Sequence, residues 1–531
     1  MSWRATRVSS RSATSASRVA VIDLGSNSWR LVVYTYSPDQ PGQWWRRTDE
    51  IYESVRIGEG MAVTGALTEQ AMTRGLETLG IFARFCRAVG LLPQEIHTFA
   101  TSAIREATNR QEFLRRVRKA TGYEVEVLSG QQEAHYGYVA IVNTSTLTDG
   151  VALDIGGGSV QTVRVAGRQE MQSASLPIGA LRMTEAFFAT EDRGRPARQP
   201  DLQRLADHVA SQLRTVPWLA GHGGRLVATG GAARNLAAAV QRSGAPLSDT
   251  TDIGVNGFTV SALELAQMTT RLASLSADQR RAVPGIKPDR GDTILAAALT
   301  LQAVLETGGF GGMEVTEAGL RDGIFLERAI LSAQQPLFAN VREAAVRNLA
   351  VQYESDLPHT EHVAELALQM HDSLTEAELV APLPGERELL WAAAMLHDVG
   401  MTINYGDHHK HSHYLIVSAE LPGYDPRERA LIAQIARYHR KGVPKLGEWA
   451  RLALPGDEEL LARCAMLLRL AEHLERGHDQ TVSHARLKTN GDGLSLHLIA
   501  DGDLTLQRWS VERYGDGEAF ERIFKRRMVI G

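Results

Sequence analysis

A chain of 531 residues with 44% hydrophobic and 22% charged residues has the composition of an ordinary globular protein and is too long for one core, so two to four domains are expected. Its 57 basic and 62 acidic residues leave a net charge of −5, which argues against a nucleic-acid coat protein but not against an anionic substrate held by local arginines and backbone N–H groups. No apolar run is long enough to span a bilayer, so no membrane partner is expected.

Residues 1–17 are rich in Arg and Ser and lack acids and an apolar stretch. They are similar in composition to an organellar transit peptide but read as a disordered tail, not a secretory signal. Ordered structure is expected from Arg18, where β-branched runs flank a Gly/Ser/Asn turn in RVAVIDLGSNSWRLVVYTY, the pattern of a hairpin. A long helix (LTEQAMTRGLETLGIFARFCRAVG), a short strand (IHTFATSA), another helix and the strand YEVEVLS follow. At 151 the opening pattern returns as VALDIGGGSVQTVRV, so that Asp23-Leu-Gly-Ser-Asn-Ser28 aligns with Asp154-Ile-Gly-Gly-Gly-Ser159. A single repeat at this spacing indicates a duplicated domain, with halves at 18–136 and 137–330 and a ligand cleft between them. A third glycine loop, LVATGGAARNLAAAV, runs from a strand through Gly230 and Gly231 into an Ala-rich helix. From 331 to 480 helical periodicity dominates, and 481–531 alternates again, as in LSLHLIADGDLTLQRWSVERY, predicting a small sheet. The two cysteines, Cys86 and Cys464, fall in apolar helical patterns and read as buried thiols, which suits a reducing cytoplasm.

Each Asp-x-Gly turn offers the same device. Gly25, Gly156, Gly157 and Gly158 let consecutive N–H groups converge on phosphate oxygens, and Ser26, Asn27, Ser28 and Ser159 add side-chain donors. Asp23 and Asp154, at the strand ends, suit a hard divalent cation such as Mg²⁺. Gly230 and Gly231 open a helix whose N-terminus favours an anion. One such turn closes many plain hairpins; two at the same place in a duplicated fold point to phosphate binding.

The strings IDLGSNSWRLVVY, LDIGGGSVQTV, LPIGALRMTEAFF and ATGGAARN, in this order over about residues 18–330, resemble the exopolyphosphatase/guanosine pentaphosphate phosphohydrolase family. The resemblance implies an α/β fold of duplicated actin-like (ribonuclease H-like) halves. The segments WAAAMLHDVGMTINYGDHHKHSHYLI and LPGYDPRERALIAQIARYHRK are similar to the extra domains of the long exopolyphosphatases. They imply an all-α HD-like domain followed by a small C-terminal α+β region.

The resemblance also implies roles. Glu133, in a Ser-Gly-x-x-Glu-Ala segment, matches the family's water-activating glutamate; positions 131 and 132 are both Gln. Arg105 matches an arginine aimed at bound phosphate, and Arg182 is a weaker candidate that alternatively covers the domain surface. The chain departs from the family at Gln161, where many members carry a glutamate, so cation binding there is expected to be weaker.

LHDVG contains the His397-Asp398 pair that names the HD phosphohydrolases. His359 or His362 could add a ligand, and Glu472 stands where an Asp is usual; we take His362, His397, Asp398 and Glu472 as the candidate second metal site, in a domain that the resemblance implies has kept the fold without the activity. His408, His409, His411 and His413, with Lys410, Arg437, His439, Arg440 and Lys441, read alternatively as a cationic track for a polyanion. The expected activity is Mg²⁺-assisted removal of terminal phosphate from inorganic polyphosphate. Guanosine pentaphosphate is the rival substrate, a sugar-kinase-like phosphotransferase or a non-catalytic nucleotide-binding regulator is a more distant reading, and a homodimer is expected from the family.

Overall fold

The computed structural model describes residues 16–37, 44–188, 194–243, 253–331 and 336–530. Of the expected tail, residues 1–15 lie outside the described residues, and Ser17 already belongs to the first strand.

The apolar runs on either side of the first turn pair as β1 (Ser17–Leu24) and β2 (Trp29–Tyr36), antiparallel, with Asp23 opposite Arg30 at the hairpin tip. With β3 (Trp45–Glu53), β4 (Ile96–Ala100) and β5 (Val125–Val127) they form a five-stranded sheet in the order β3-β2-β1-β4-β5. The second sheet holds β6 (Gly150–Ile155), β7 (Val160–Ala166), β8 (Gln169–Leu176), β9 (Arg225–Thr229), β10 (Phe258–Ser261) and β11 (Gly312–Val315), in the order β10-β11-β9-β6-β7-β8. The two sheets share one plan: an antiparallel three-strand meander whose first strand then pairs in parallel with a later one. Asp154 sits opposite Gln161 as Asp23 sits opposite Arg30, so the sequence duplication is also a duplication of topology and register.

Helix α1 (Glu69–Ala88) starts where the Thr68 side chain accepts from Ala71 N–H and packs Phe82 and Cys86 on the outer face of the first sheet. Two further helices fill the space between the sheets: α2 (Gly130–Val142) and, late in the chain, α5 (Leu320–Phe325), reached through α3 (Gly231–Ser243) and α4 (Ile294–Gly308). One apolar cluster joins Val21 and Tyr34 of the first sheet, Val139 and Phe325 of these helices, and Val163 and Val227 of the second sheet. Each such side chain contributes about 1.5–3 kcal/mol by burial, so the two sheets and their crossing helices are locked together.

The following region is helical: α6 (Leu357–Glu376), α7 (Glu386–Leu396), α8 (His408–Ser418), α9 (Pro426–Tyr438) and α10 (Asp457–Leu474) share one core, which continues under a three-stranded sheet, β12 (Val482–Asn490), β13 (Gly493–Ala500) and β14 (Met528–Ile530). The final alternation is strand only in part. LSLHLIA forms most of β13, but LTLQRWSVERY supplies α11 (Thr505–Tyr514), burying Gln507, Ser510 and Val511. Those three lie at helical spacing, so the period of 3.6 prevails over the apparent alternation. Both cysteines are buried free thiols. No helix among the described residues is long and apolar enough to cross a membrane.

Candidate active site

The two hairpin tips meet. A Cβ added to Gly157 would stand 3.0 Å from Asn27 Cβ, and one added to Gly158 would collide with Ser102 Oγ and Ser26 Oγ, so only glycine lets the second tip approach the first this closely. The second tip is braced from behind: Ala180 and Leu181 donate backbone N–H to Gly156 and Gly157 carbonyls, and Arg182 Nε donates to Gly158 O at 2.9 Å. Arg182, also paired with Glu106, therefore supports the loop and does not face the cleft. Gly230, at φ +104, lies against Ile155 O, which brings the third loop beside the second tip.

Between these loops is a cleft lined by the predicted Asp23, Gly25, Ser26, Asn27, Ser28, Glu133, Asp154, Gly156, Gly157, Ser159, Gly230 and Gly231. Gly158 faces a neighbouring hollow, and Gln161 does not line the cleft: its amide nitrogen is held by Ser159 Oγ at 2.8 Å and Ser175 Oγ at 3.2 Å. Ser26 Oγ is hydrogen-bonded to Ser102 Oγ and accepts from Ala103 N–H, while both polar atoms of the buried Asn27 amide have no partner.

Glu133 is placed by the start of α2. Ser129 Oγ accepts from Gln132 N–H and Gln132 Oε1 accepts from Ser129 N–H, a reciprocal cap that occupies Gln132 at the surface and turns the next residue inward. Glu133 is 6% exposed, and burial pushes its carboxyl up to about 7; the Arg105 hydrogen bond opposes this, while Asp154 and Asp23 add to it. Arg105 donates to Glu133 Oε2 at 2.8 Å and to Leu128 O at 2.9 Å. It is not among the residues that line the cleft, so its partner here is the glutamate, not an open phosphate position.

The two aspartates are likewise buried. Asp154 is pushed up to about 6, first by burial, with Arg234 opposing and Asp23 reinforcing. Asp23 is also raised by burial; its Oδ2 accepts from Arg321 Nη1 at 2.8 Å, and its Oδ1 is buried without a partner. Three carboxylates that each resist ionisation, one with an orphaned oxygen, form a donor set that fits a hard divalent cation.

Four lining arginines were not singled out from sequence: Arg30, Arg234, Arg290 and Arg321. Two had local signals, Arg30 two residues past Ser28 on a strand that returns to the tip, and Arg234 in the first turn of the helix after Gly230-Gly231. Arg321 had none. It lies far from Asp23 in sequence and is aimed by its neighbour Asp322, which is held by Tyr34 Oη at 2.8 Å and by Arg47 Nη2 at 3.0 Å. Arg30, Gly231, Arg234 and Arg290 also line a wider groove that runs on from the cleft past Arg47, Arg242 and Lys287 and is lined by Glu50, Glu317 and Glu420 as well.

In the helical region the structure corrects two expectations. His362 lies outside the group of side chains close enough to hold one cation: its Nε2 donates to Val482 O at 2.8 Å, and His359, one helical turn earlier, stands with His397 and Asp398 instead. The histidines expected in the cationic track do not supply it, although Lys410 and Lys441 are exposed. His408, His409 and His439 are buried, and burial lowers His409 and His413 to about 4, so these two rings are uncharged at neutral pH.

Tips that converge backbone groups on an anion, guanidinium groups for its oxygens and paired aspartates for a cation define a phosphoanhydride hydrolase. The chain belongs to the Ppx/GppA phosphatase family, matching it over residues 48–331 and its domain III over residues 341–509. It is 26% identical over 489 residues to a guanosine-5'-triphosphate,3'-diphosphate pyrophosphatase of Pseudoalteromonas translucida, covering 91% of this chain and 92% of that one. In fold it is similar to an exopolyphosphatase from Cytophaga hutchinsonii, with a TM-score of 0.51 and 23% identity over 58% of this chain and 96% of that one.

Proposed function

We propose that the chain hydrolyses the terminal phosphate of inorganic polyphosphate. Water held by Glu133 attacks the terminal phosphorus, Glu133 takes a proton from that water, the bridging P–O bond breaks, and orthophosphate and a shortened chain leave. A buried carboxyl held near 7 is suited to this exchange at neutral pH. The tip residues Gly25–Ser28 and Gly156–Ser159, with Arg234, Arg290 and Arg321, receive the phosphoryl oxygens, and Arg105 orients Glu133. Asp23 and Asp154 would hold a divalent cation, expected to be Mg²⁺; when bound, it neutralises charge on the phosphoryl oxygens. The observation that carries the reading is the meeting of the two tips beside one buried glutamate, at the head of an arginine- and lysine-lined groove.

Removal of the 5′ γ-phosphate of guanosine pentaphosphate uses the same chemistry and is favoured by the likeness to the Pseudoalteromonas relative. The groove favours a longer polyanion. Phosphate release from long polyphosphate and from guanosine pentaphosphate, measured side by side, decides between them. Wild type is expected to prefer polyphosphate, and Glu133→Gln to lose roughly 10²–10⁴ of the rate. Cleavage of the nucleotide alone would replace the first reading with the second; full turnover by Glu133→Gln would remove the glutamate from its role.

A further inference from the structure

Two residues beyond Glu133, α2 carries a side chain that no step of the hydrolysis uses. His135 Nδ1 stands 2.8 Å from Glu170 Oε2, and its Nε2 stands 2.7 Å from Glu327 Oε2. Ionised carboxylates only accept, so both ring nitrogens carry a proton and the ring is an imidazolium held at both ends. Hydrogen bonds between ions are roughly twice as strong as neutral ones. The Glu327 side chain is only 12% exposed, so water competes weakly for its bond. The two acceptors belong to different elements: Glu170 lies on β8 of the second sheet, and Glu327 on the π-helical turn Leu326–Ile330 that continues α5. In that turn Leu331 N–H donates to Leu326 O at 2.7 Å, five residues back. Two consecutive side chains of the turn reach α2: Glu327 holds His135, and Arg328 Nη2 donates to Tyr136 Oη at 2.8 Å and to Glu126 Oε1 on β5 at 3.1 Å. Single π turns of this kind are frequent at functional sites.

These contacts bear on the cleft because α2 and α5 each bring a group to it. Glu133 stands in the first turn of α2, and Arg321 in the first turn of α5, where its Nη1 donates to Asp23 Oδ2 at 2.8 Å. Gly323 sets how closely the two helices cross by lying against Tyr136 O. A close crossing fixes a distance but leaves α2 free to turn about its own axis. Glu133 lines the cleft, and a Cβ on Gly137, one turn further on, would lie 3.6 Å from Asp154 Cβ, so this face of α2 is the one turned to the cleft. Position 135 is roughly 200° round the helix from position 133, on the far face, and His135 is not among the residues that line the cleft. The ring therefore grips the back of the turn whose front presents the base.

We propose that His135 is a positioning residue for the hydrolysis: its ring, held by Glu170 and Glu327, fixes the rotation of α2 that points the Glu133 carboxyl into the cleft, and so raises kcat without touching substrate. The inference rests on the reading of Glu133 as the base. It adds a second requirement to the Arg105 hydrogen bond, which holds the same carboxylate from the side of Leu128. Arg105 acts on the carboxylate itself; His135 acts on the helix that carries it.

The test measures phosphate release by the full chain from whichever of polyphosphate and guanosine pentaphosphate wild type cleaves. His135→Ala is expected to lower kcat by roughly tenfold to 10²-fold, the loss that a small misplacement of a reacting group brings, with KM within about twofold. Glu327→Ala should do the same, whereas Glu327→Gln, whose amide oxygen still accepts from the ring, should keep kcat within about threefold. His135→Arg, a cation able to serve both carboxylates, should restore most of the loss. In the Glu133→Gln background His135→Ala should cost little more, because nothing is left to aim. The inference is overturned if His135→Ala leaves kcat unchanged or mainly raises KM, if His135→Arg is as slow as His135→Ala, or if the loss is as large in Glu133→Gln as in wild type. Should His135→Ala fail to fold by circular dichroism, the Glu327 pair decides, and equal kcat in Glu327→Ala and Glu327→Gln overturns the inference. Full turnover by Glu133→Gln alone would overturn the base assignment, and this inference with it; that failure is told apart because it appears with His135 intact.

Discussion

To act as the proposed base, Glu133 has to be both buried and ionised, and the Arg105 hydrogen bond would reconcile these demands. Burial alone would hold the carboxyl protonated; the Arg105 hydrogen bond draws it back to about 7. The acid limb of kcat/KM should therefore lie near pH 7, with activity rising as Glu133 loses its proton. Arg105→Met should move that limb to higher pH without abolishing turnover, whereas saturating Mg²⁺ should move it lower by offsetting Asp23 and Asp154. A profile unmoved by Arg105→Met would show that the limb belongs to another group. The same shift bears on stability. Between the ordinary carboxyl range and pH 7 the folded chain binds more protons at Glu133 than the unfolded chain, so this group's contribution falls as pH rises across that window. Glu133→Gln should thus be more stable than wild type at pH 8, by at most about 3 kcal/mol, and similar near pH 4, read from denaturant melts without divalent cations. What a local pattern carries at this scale is the Asp-led tips; from the sequence alone Glu133 reads as an ordinary helix-start glutamate, and only the family resemblance singles it out. Arg321 was not legible, because only the fold brings it to Asp23, and His362 was chosen over His359 because both lie on α6 and only the helix's rotation separates the ring that faces Asp398 from the one that faces Val482 O.

Elements hold the cleft in register through close backbone approach. Helices α2 and α5 cross where Gly323 lies against Tyr136 O, and no Cβ fits there. Gly323→Ala should push the helices apart, tilt Glu133 and Arg321 together, and cost about 1–3 kcal/mol, lowering both the melting temperature and kcat. Gly80, on α1, meets nothing within 4 Å, so Gly80→Ala should instead stabilise by about 0.5–1 kcal/mol with kcat unchanged. If the two substitutions behave alike, the helix crossing does not position the site. The duplication was readable because the strands flanking each tip are buried on both faces and so read as continuous apolar runs, and their Asp-x-Gly tips repeat. The misread stretch at Thr505–Tyr514 shows the limit: in a short amphipathic segment on a small core the two periods overlap, and packing against α10 decides.

Across the whole molecule, charge is distributed against its total. A chain of net −5 gathers Arg30, Arg47, Arg234, Arg242, Lys287 and Arg290 along one groove, where they outnumber Glu50, Glu317 and Glu420. Positive potential confined to a groove in an acidic protein steers a polyanion to one place and repels it elsewhere. If the groove carries the chain of a long polyphosphate while the cleft handles only its end, the two can be separated kinetically. Removing Lys287, which lines the groove but not the cleft, should raise KM for long polyphosphate roughly fivefold, equivalent to about 1 kcal/mol, and leave kcat in place. Guanosine pentaphosphate, too short to follow the groove, should be affected far less. Raising ionic strength should erode the polyphosphate KM of wild type more than that of Lys287→Ala, because the variant has one fewer contact to screen. Equal losses on both substrates would place Lys287 at the terminal phosphate itself and remove the groove from the account of chain binding.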